Sequence, residues 1–376
     1  MLIRRRLKEP ILSRVFQNKA IIIIGARQVG KSTLLQEIDK EFNLPTERLN
    51  CDDPRIRAML SNPTLSQLEL MFANKRMVMI DEAQRVDNIG VTIKMIIDNI
   101  RDVQVLVTGS SSLGLRSTLN EPLTGRKFEY EMYPISTGEL YETYGYSDVV
   151  KSLENRLIFG SYPDVITHKD DAVELLTSLS DSYLYKDILE LDSVRKPEIL
   201  RKLLVALSLQ IGSEVSYNEV AKTVGTDSKT VERYIDLLEK CYVVFKLPAL
   251  SRNIRNELKK SKKIFFFDTG VRNAVISNFS PVALRGDMGQ LWENFFIMER
   301  IKYNSYNRRR VNYYFWRTTD KQEIDLIEES NGEFILFEMK WNPKLSKKRL
   351  PQSFIDNYSP KEVHIVTPEN YLDFLL

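Results

Sequence analysis

Gly25, Gly30, Lys31 and Ser32 stand in the spacing G-x-x-x-x-G-K-[S/T], inside the run AIIIIGARQVGKSTLLQEI from Ala20 to Ile38. Glycines so placed let the backbone curl until successive N–H groups, with the positive end of a following helix, converge on phosphate oxygens. A lysine at position 31 then reaches the β- and γ-phosphates, and the Ser32 hydroxyl joins the coordination of Mg2+. Gly25, Ala26, Arg27, Gln28, Val29, Gly30, Lys31, Ser32 and Thr33 are therefore the candidate loop for ATP and Mg2+. The aliphatic stretch before the loop reads as a buried parallel strand and the residues after it as a helix, a context that an ordinary glycine turn lacks.

Further chemistry belongs at the same sheet edge. In RMVMIDEAQ, a short apolar strand from Met77 to Ile80 ends in Asp81 and Glu82. The carboxyl ends of parallel strands line the ligand crevice, so Asp81 is placed to hold Mg2+ and Glu82 to orient or deprotonate an attacking water. A third strand, Val103 to Ser112, brings Thr108 and Ser110 to that edge, where their hydroxyls would contact the γ-phosphate or the water, or simply cap a helix. Glu47 to Pro54 reads as one more strand, and strands alternating with helices call for a right-handed parallel α/β sheet. Arg126, after Gly125, is a candidate arginine finger toward the γ-phosphate of its own or a neighbouring subunit.

Composition bounds the rest. At 376 residues the chain exceeds one ordinary core, and 43% apolar with 28% charged residues is the balance of a soluble globular protein. No apolar run is long enough to span a membrane, and the basic start MLIRRRLKEPILSRVF has no secretory core; it reads as a surface helix. Two cysteines far apart, Cys51 and Cys241, and only two histidines, His168 and His364, argue for a reducing cytoplasm and against zinc. A net charge of +3 leaves nucleic-acid binding to local clusters: KKSKK from Lys259 to Lys263, RRR from Arg308 to Arg310, and KKR from Lys347 to Arg349.

Past Gly160 the alternation stops. LIFGSYPDV is a turn-rich joint, and the residues from Ala172 to Glu190 follow a helical period. Ser216 with Glu219 forms a capping-box pattern, VGTDS is a glycine turn, and Asp227 or Ser228 caps a second helix with the apolar face Val231, Tyr234, Ile235 and Leu238. Two strand-like runs follow, Tyr242 to Leu247 and Lys263 to Phe267, around a segment bearing Arg252, Arg255, Lys259 and Lys260. Helix, tight turn, helix and basic hairpin describe a winged helix, with Lys229, Thr230 and Arg233 on the face that would meet a major groove; Glu232 on that face opposes phosphate, and a protein-docking role fits equally.

The last hundred residues run helix, three strands, basic helix and strand. Glu293 lies on the first helix, Asp325 on one strand, and Glu338 and Lys340 two residues apart on the next. Residues i and i+2 of a strand share a face, so two or three carboxylates and a lysine would converge to bind metal for phosphodiester cleavage.

Taken in order, GARQVGKSTLL, IDEAQ, LVTGSSS, LTGR, GSYPDV, YLYKDILEL, FFFDTG, LWENFF, EIDLI and FEMKW resemble the prokaryotic AAA-type P-loop ATPases whose C-terminal half joins a winged helix to a PD-(D/E)XK restriction-endonuclease-like fold. The resemblance implies a nucleotide loop from Gly25 to Thr33, an Mg2+ and water-activating pair Asp81 and Glu82, a γ-phosphate sensor over Thr108 to Ser110, and Arg126 as finger. It also implies a nuclease-like set of Glu293, Asp325, Glu338 and Lys340, with Ile324 departing from the proline in the fold's name. The expected organisation is an ATPase domain over 1–140, a helical lid over 141–195, a winged helix over 196–270 and a nuclease-like domain over 285–376. An ATPase acting on DNA is the leading expectation. Its rivals are a nucleotide-switched interaction protein with an inert nuclease-like scaffold, and an ATP-regulated nuclease.

Overall fold

A computed structural model describes residues 2–110, 119, 121–183, 196–250, 262–318, 322–345 and 351–376. The chain divides into two compact units, residues 2–135 with 240–242, and residues 136–239 with 243–376.

The first unit is built on a five-stranded parallel sheet: β1 (Ala20–Ile24), β2 (Thr46–Asn50), β3 (Met77–Asp81), β4 (Gln104–Gly109) and β5 (Lys127–Glu131), in the order β2-β3-β4-β1-β5. The four isoleucines of β1 are fully buried, each contributing about 1.5–3 kcal/mol of burial relative to exposure. Their β-branched side chains suit a strand covered on both faces. Because β4 lies between β1 and β3, the polar tip of β4 separates the loop after β1 from the acids after β3.

Local chemistry sets the element ends. The strand expected over Glu47 to Pro54 stops at Asn50, because Asp53 caps a new helix at Pro54–Leu60 through the Arg55 N–H. Sequence periodicity did not mark β5, whose mixed polar residues lie half-buried at the sheet edge. The N-terminal helix Lys8–Leu12 forms and buries Ile11, and the residues before it bury Ile3, Arg5 and Leu7.

In the second unit a short antiparallel sheet has the order β6-β8-β7, from β6 (Glu214–Val215), β7 (Val244–Pro248) and β8 (Lys262–Phe266). It accompanies helices Pro197–Leu209, Tyr217–Val224 and Ser228–Lys240. Asp227 caps the last of these through the Thr230 N–H at 2.8 Å, and Val231, Tyr234, Ile235 and Leu238 form its buried face as the periodicity predicts. The capping box expected at Ser216 is not made. Arg252, Arg255, Lys259, Lys260, the YLYKDILEL motif beyond Tyr183 and the KKR run lie outside the described residues.

A four-stranded sheet follows, β9 (Asn312–Arg317), β10 (Glu323–Ser330), β11 (Glu333–Met339) and β12 (Glu362–Val366), in the order β12-β11-β10-β9 with only the β11–β12 pair parallel. The 19-residue helix Met288–Tyr306 that precedes it is buried on most of its circumference. It carries its own ion pairs inward: Arg300 meets Glu328 at 2.6 Å, and Glu299 meets Lys302 at 2.7 Å and Arg156 at 3.3 Å. Burial alone would raise Glu299, but Lys302, Arg156 and the Thr137 N–H outweigh it and hold the carboxyl below its usual range.

Glu299→Ala would leave Arg156 and Lys302 as buried cations, and a loss of about 3–5 kcal/mol is expected, read as a lower urea midpoint at unchanged slope. Since the folded pKa is depressed, the stability that Glu299 supplies is complete above its unfolded pKa and is lost as pH falls through the folded one. Urea melts of Glu299→Gln should therefore fall less on acidification than those of the wild type.

Candidate nucleotide site

Two glycines make the loop after β1 possible. A Cβ on Gly25 would stand 2.0 Å from the Met132 carbonyl oxygen, a backbone atom that cannot yield, and Gly30 sits at φ +96°. Gly30 is also the N-cap of helix Lys31–Phe42, whose first-turn N–H groups have no intrahelical acceptor. Positive partial charge therefore collects at the mouth of the loop.

Lys31 is 5% exposed, and its ammonium donates to the carbonyls of Gly25 at 3.0 Å and Ala26 at 2.8 Å, folding back over the loop. Ser32 and Thr33 follow on the exposed side. The Ser32 hydroxyl donates to Asp81 Oδ2 at 2.6 Å, and the other oxygen, Oδ1, takes the Thr108 hydroxyl. One carboxylate thus bridges the helix after β1 and the tip of β4. Glu82 adopts a left-handed φ of 54°, a conformation that costs a non-glycine residue about 1–2 kcal/mol. Beyond that turn its Oε2 accepts from Ser110 Oγ at 3.0 Å and from Gln84 Nε2 at 2.5 Å, and Gln84 also donates to Ser110 at 2.9 Å. Gln84 was not singled out from sequence; its proximity comes from the single 3-10 turn Ala83–Arg85 that follows Glu82.

A second residue that sequence reasoning missed is Arg5. Its two terminal nitrogens donate to the carbonyls of Val29 and Tyr133, both at 2.6 Å, so a buried guanidinium braces the back of the loop. Cys51, at the end of β2, is pushed up to about 12 by burial and by the neighbouring carboxylates Asp81, Asp52 and Glu82, so its thiol stays protonated and unreactive.

Residues 17–141, which contain all of these groups except Arg5, match the family described as AAA domain. That stretch is similar to AAA domains. Residues 150–282 and 288–372 match two domains of unknown function, DUF8612 and DUF4143. An uncharacterized protein of Mycobacterium tuberculosis is 27% identical over 378 residues, covering 98% of this chain and 81% of that protein. Another, of Methanocaldococcus jannaschii, is 25% identical over 347 residues, covering 86% and 75%. Among solved structures, the Aeropyrum pernix ORC1 protein in complex with DNA superposes with a TM-score of 0.36 at 13% identity, over 74% of this chain and 93% of that one. The Thermotoga maritima RuvB Holliday junction branch migration motor gives 0.35 at 16%, over 69% and 95%. No helix among the described residues is long and apolar enough to cross a membrane.

Arg126 stands away from the loop after β1. Its carbonyl accepts from Ala20 N–H, placing it beside the start of β1, whereas the loop leaves the other end. Five strand residues at the usual rise separate the two edges by about 16 Å. Its guanidinium pairs instead with Asp98 at 2.8 Å. In this geometry the Arg126 guanidinium faces away from the loop of its own chain.

In the second unit, Lys340 lies 2.7 Å from Glu338 and 3.5 Å from Asp325, as the shared strand face requires. Asp325 Oδ2 also accepts the Met339 N–H at 2.8 Å. Glu293 is close by, but its carboxylate is engaged at 2.8 Å by Lys263 from β8, a residue that sequence placed in a strand and a basic run but not in this cluster. Lys263 also meets Glu323 at 2.6 Å. Burial pushes Glu293 upward against the pull of Lys263, and Asp325 and Glu323 add to the rise. Burial would lower Lys263, but Glu293, Glu323 and Asp325 hold it above the usual lysine range. Among the described residues no three of His, Cys, Asp or Glu are grouped to hold a metal ion, the expected set Glu293, Asp325 and Glu338 included.

Arg5→Ala removes two charged donors from buried carbonyls and is expected to cost about 1–3 kcal/mol. Hydrogen exchange should quicken at the amides of residues 25–30; unchanged exchange there would show that Arg5 does not brace the loop.

Proposed function

We propose that this protein is a Mg2+-dependent ATPase whose nucleotide cycle works a winged helix and a nuclease-like module on DNA. The observation that carries the ATPase reading is the Asp81 carboxylate, held at once by Ser32 and by Thr108 beside a buried loop lysine. Hard oxygen donors adjoin the phosphate loop, and this donor set fits Mg2+: Ser32 and Asp81 would hold it. Mg2+ so bound would draw charge from the β- and γ-phosphates.

The protein's own groups do the remaining work. Lys31, now donating to two loop carbonyls, exchanges them for phosphate oxygens of stronger acceptor character. Glu82 is the general base for the attacking water, and Ser110 with Gln84 fixes its carboxylate toward β4. Thr108 and Ser110 sense the γ-phosphate, since its arrival competes for the hydroxyls that bind Asp81 and Glu82.

Support for DNA comes from the second unit. Three helices beside an antiparallel sheet of order β6-β8-β7 support the winged-helix reading, with Lys229 and Arg233 exposed on the Ser228–Lys240 helix. Arg308, Arg309 and Arg310 are exposed as well. From residue 285 onward a helix, three strands, a helix and a strand follow in order, which supports the nuclease-like reading.

Lys31→Ala should abolish ATP binding in calorimetry. Glu82→Gln should still bind but release phosphate about 10²–10⁴-fold more slowly; wild-type turnover in that variant would remove Glu82 from the chemistry. Turnover should rise with DNA, and the rise should shrink steeply with salt. If neither single- nor double-stranded DNA alters the rate, the nucleic-acid partner is wrong while the ATPase stands.

A further inference from the structure

The carboxylates of the C-terminal sheet are already neutralised from within. Lys263 leaves β8 and ends with its ammonium 2.8 Å from Glu293 Oε1 and 2.6 Å from Glu323 Oε1, with 3% of its side chain exposed. The opposite side of the cluster is closed by Lys340 on Glu338 and Asp325. Gly212, at φ +72°, closes it further: a Cβ there would stand 3.2 Å from Glu293 Oε2.

Lys263 is not a surface side chain that wandered in. The strand carrying it is docked by Asn294, whose amide side chain both accepts from Phe266 N–H at 2.7 Å and donates to its carbonyl at 2.8 Å. Its ammonium lies over the Phe315 ring, 5.5 Å from the centroid. The cation is thus positioned by backbone pairing, by an aromatic wall and by two carboxylates from different elements.

We infer that Lys263 occupies the place a divalent cation would take, so that this nuclease-like core is a metal-free ion-pair lock joining β8, the Met288–Tyr306 helix and β10. A divalent ion needs oxygen ligands at about 2.0–2.6 Å, among them one or two carboxylates whose lone pairs are free. Here the lone pairs serve two ammonium groups and an amide, and an incoming ion would have to displace a buried cation of its own sign or share a dry site with it. The inference is independent of nucleotide binding.

The test uses the full chain in the Lys31→Ala background, which silences the loop, with Mn2+ followed by electron paramagnetic resonance. No saturable binding is expected at millimolar Mn2+; a single saturable site that vanishes in Asp325→Ala overturns the inference. Lys263→Met in the same background frees the carboxylates and should create a saturable Mn2+ site, whereas Lys263→Arg, which keeps the charge, should not. If Lys263→Met melts at lower temperature, Mn2+ should raise its melting point selectively. Failure of Mn2+ either to bind or to stabilise Lys263→Met also overturns the inference.

Discussion

Asp81 has two carboxylate oxygens, and each is held by a hydroxyl from a different element. Ser32 comes from the helix that follows the phosphate loop and Thr108 from the tip of β4, so one side chain ties the ends of three neighbouring strands together. This coupling depends on β4 lying between β1 and β3. Were β1 and β3 adjacent, the loop and the acids would meet directly and no hydroxyl of β4 would stand between them. The order β2-β3-β4-β1-β5 is therefore the constraint from which the chemistry of the first unit follows.

The loop itself is shaped by contacts that exclude side chains. Gly25 lies against the Met132 carbonyl, whose own N–H bonds back to Ile24, and Arg5 supports the loop through Val29 and Tyr133. A phosphate-binding backbone must keep its N–H groups pointed outward, which requires its carbonyls to be satisfied from behind. A buried arginine does this with two hydrogen bonds to separate chain segments, and its charge adds to the positive potential of the helix end.

The second unit uses charge differently. Arg156, Lys302 and Glu299 form one buried set, Arg300 and Glu328 a second, and Lys263 with Glu293 and Glu323 a third. Each joins elements distant in sequence. Buried ion pairs contribute little net stability compared with apolar packing, but mismatched docking leaves a bare charge in the interior, which penalises wrong arrangements. In the Met288–Tyr306 helix these pairs act beside the hydrogen bonds that Asn294 makes to the Phe266 backbone and Trp292 to the Val366 carbonyl.

What sequence alone determined is local and periodic. The glycine spacing, the aliphatic β1, the Asp81 and Glu82 terminus and the apolar face of the Ser228–Lys240 helix are each set by residue type at fixed offsets. Such offsets survive folding because a strand repeats every two residues and a helix every 3.6. Tertiary structure alone decided which distant residues meet. Arg5 reaches the back of the glycine loop, Ser110 meets Glu82 and Gln84, Arg126 falls at the opposite sheet edge, and Lys263 enters the carboxylate cluster, because strand order and strand direction bring these separate segments together. Those assignments arise from pairings between segments tens to more than a hundred residues apart, for which no local pattern carries a signal.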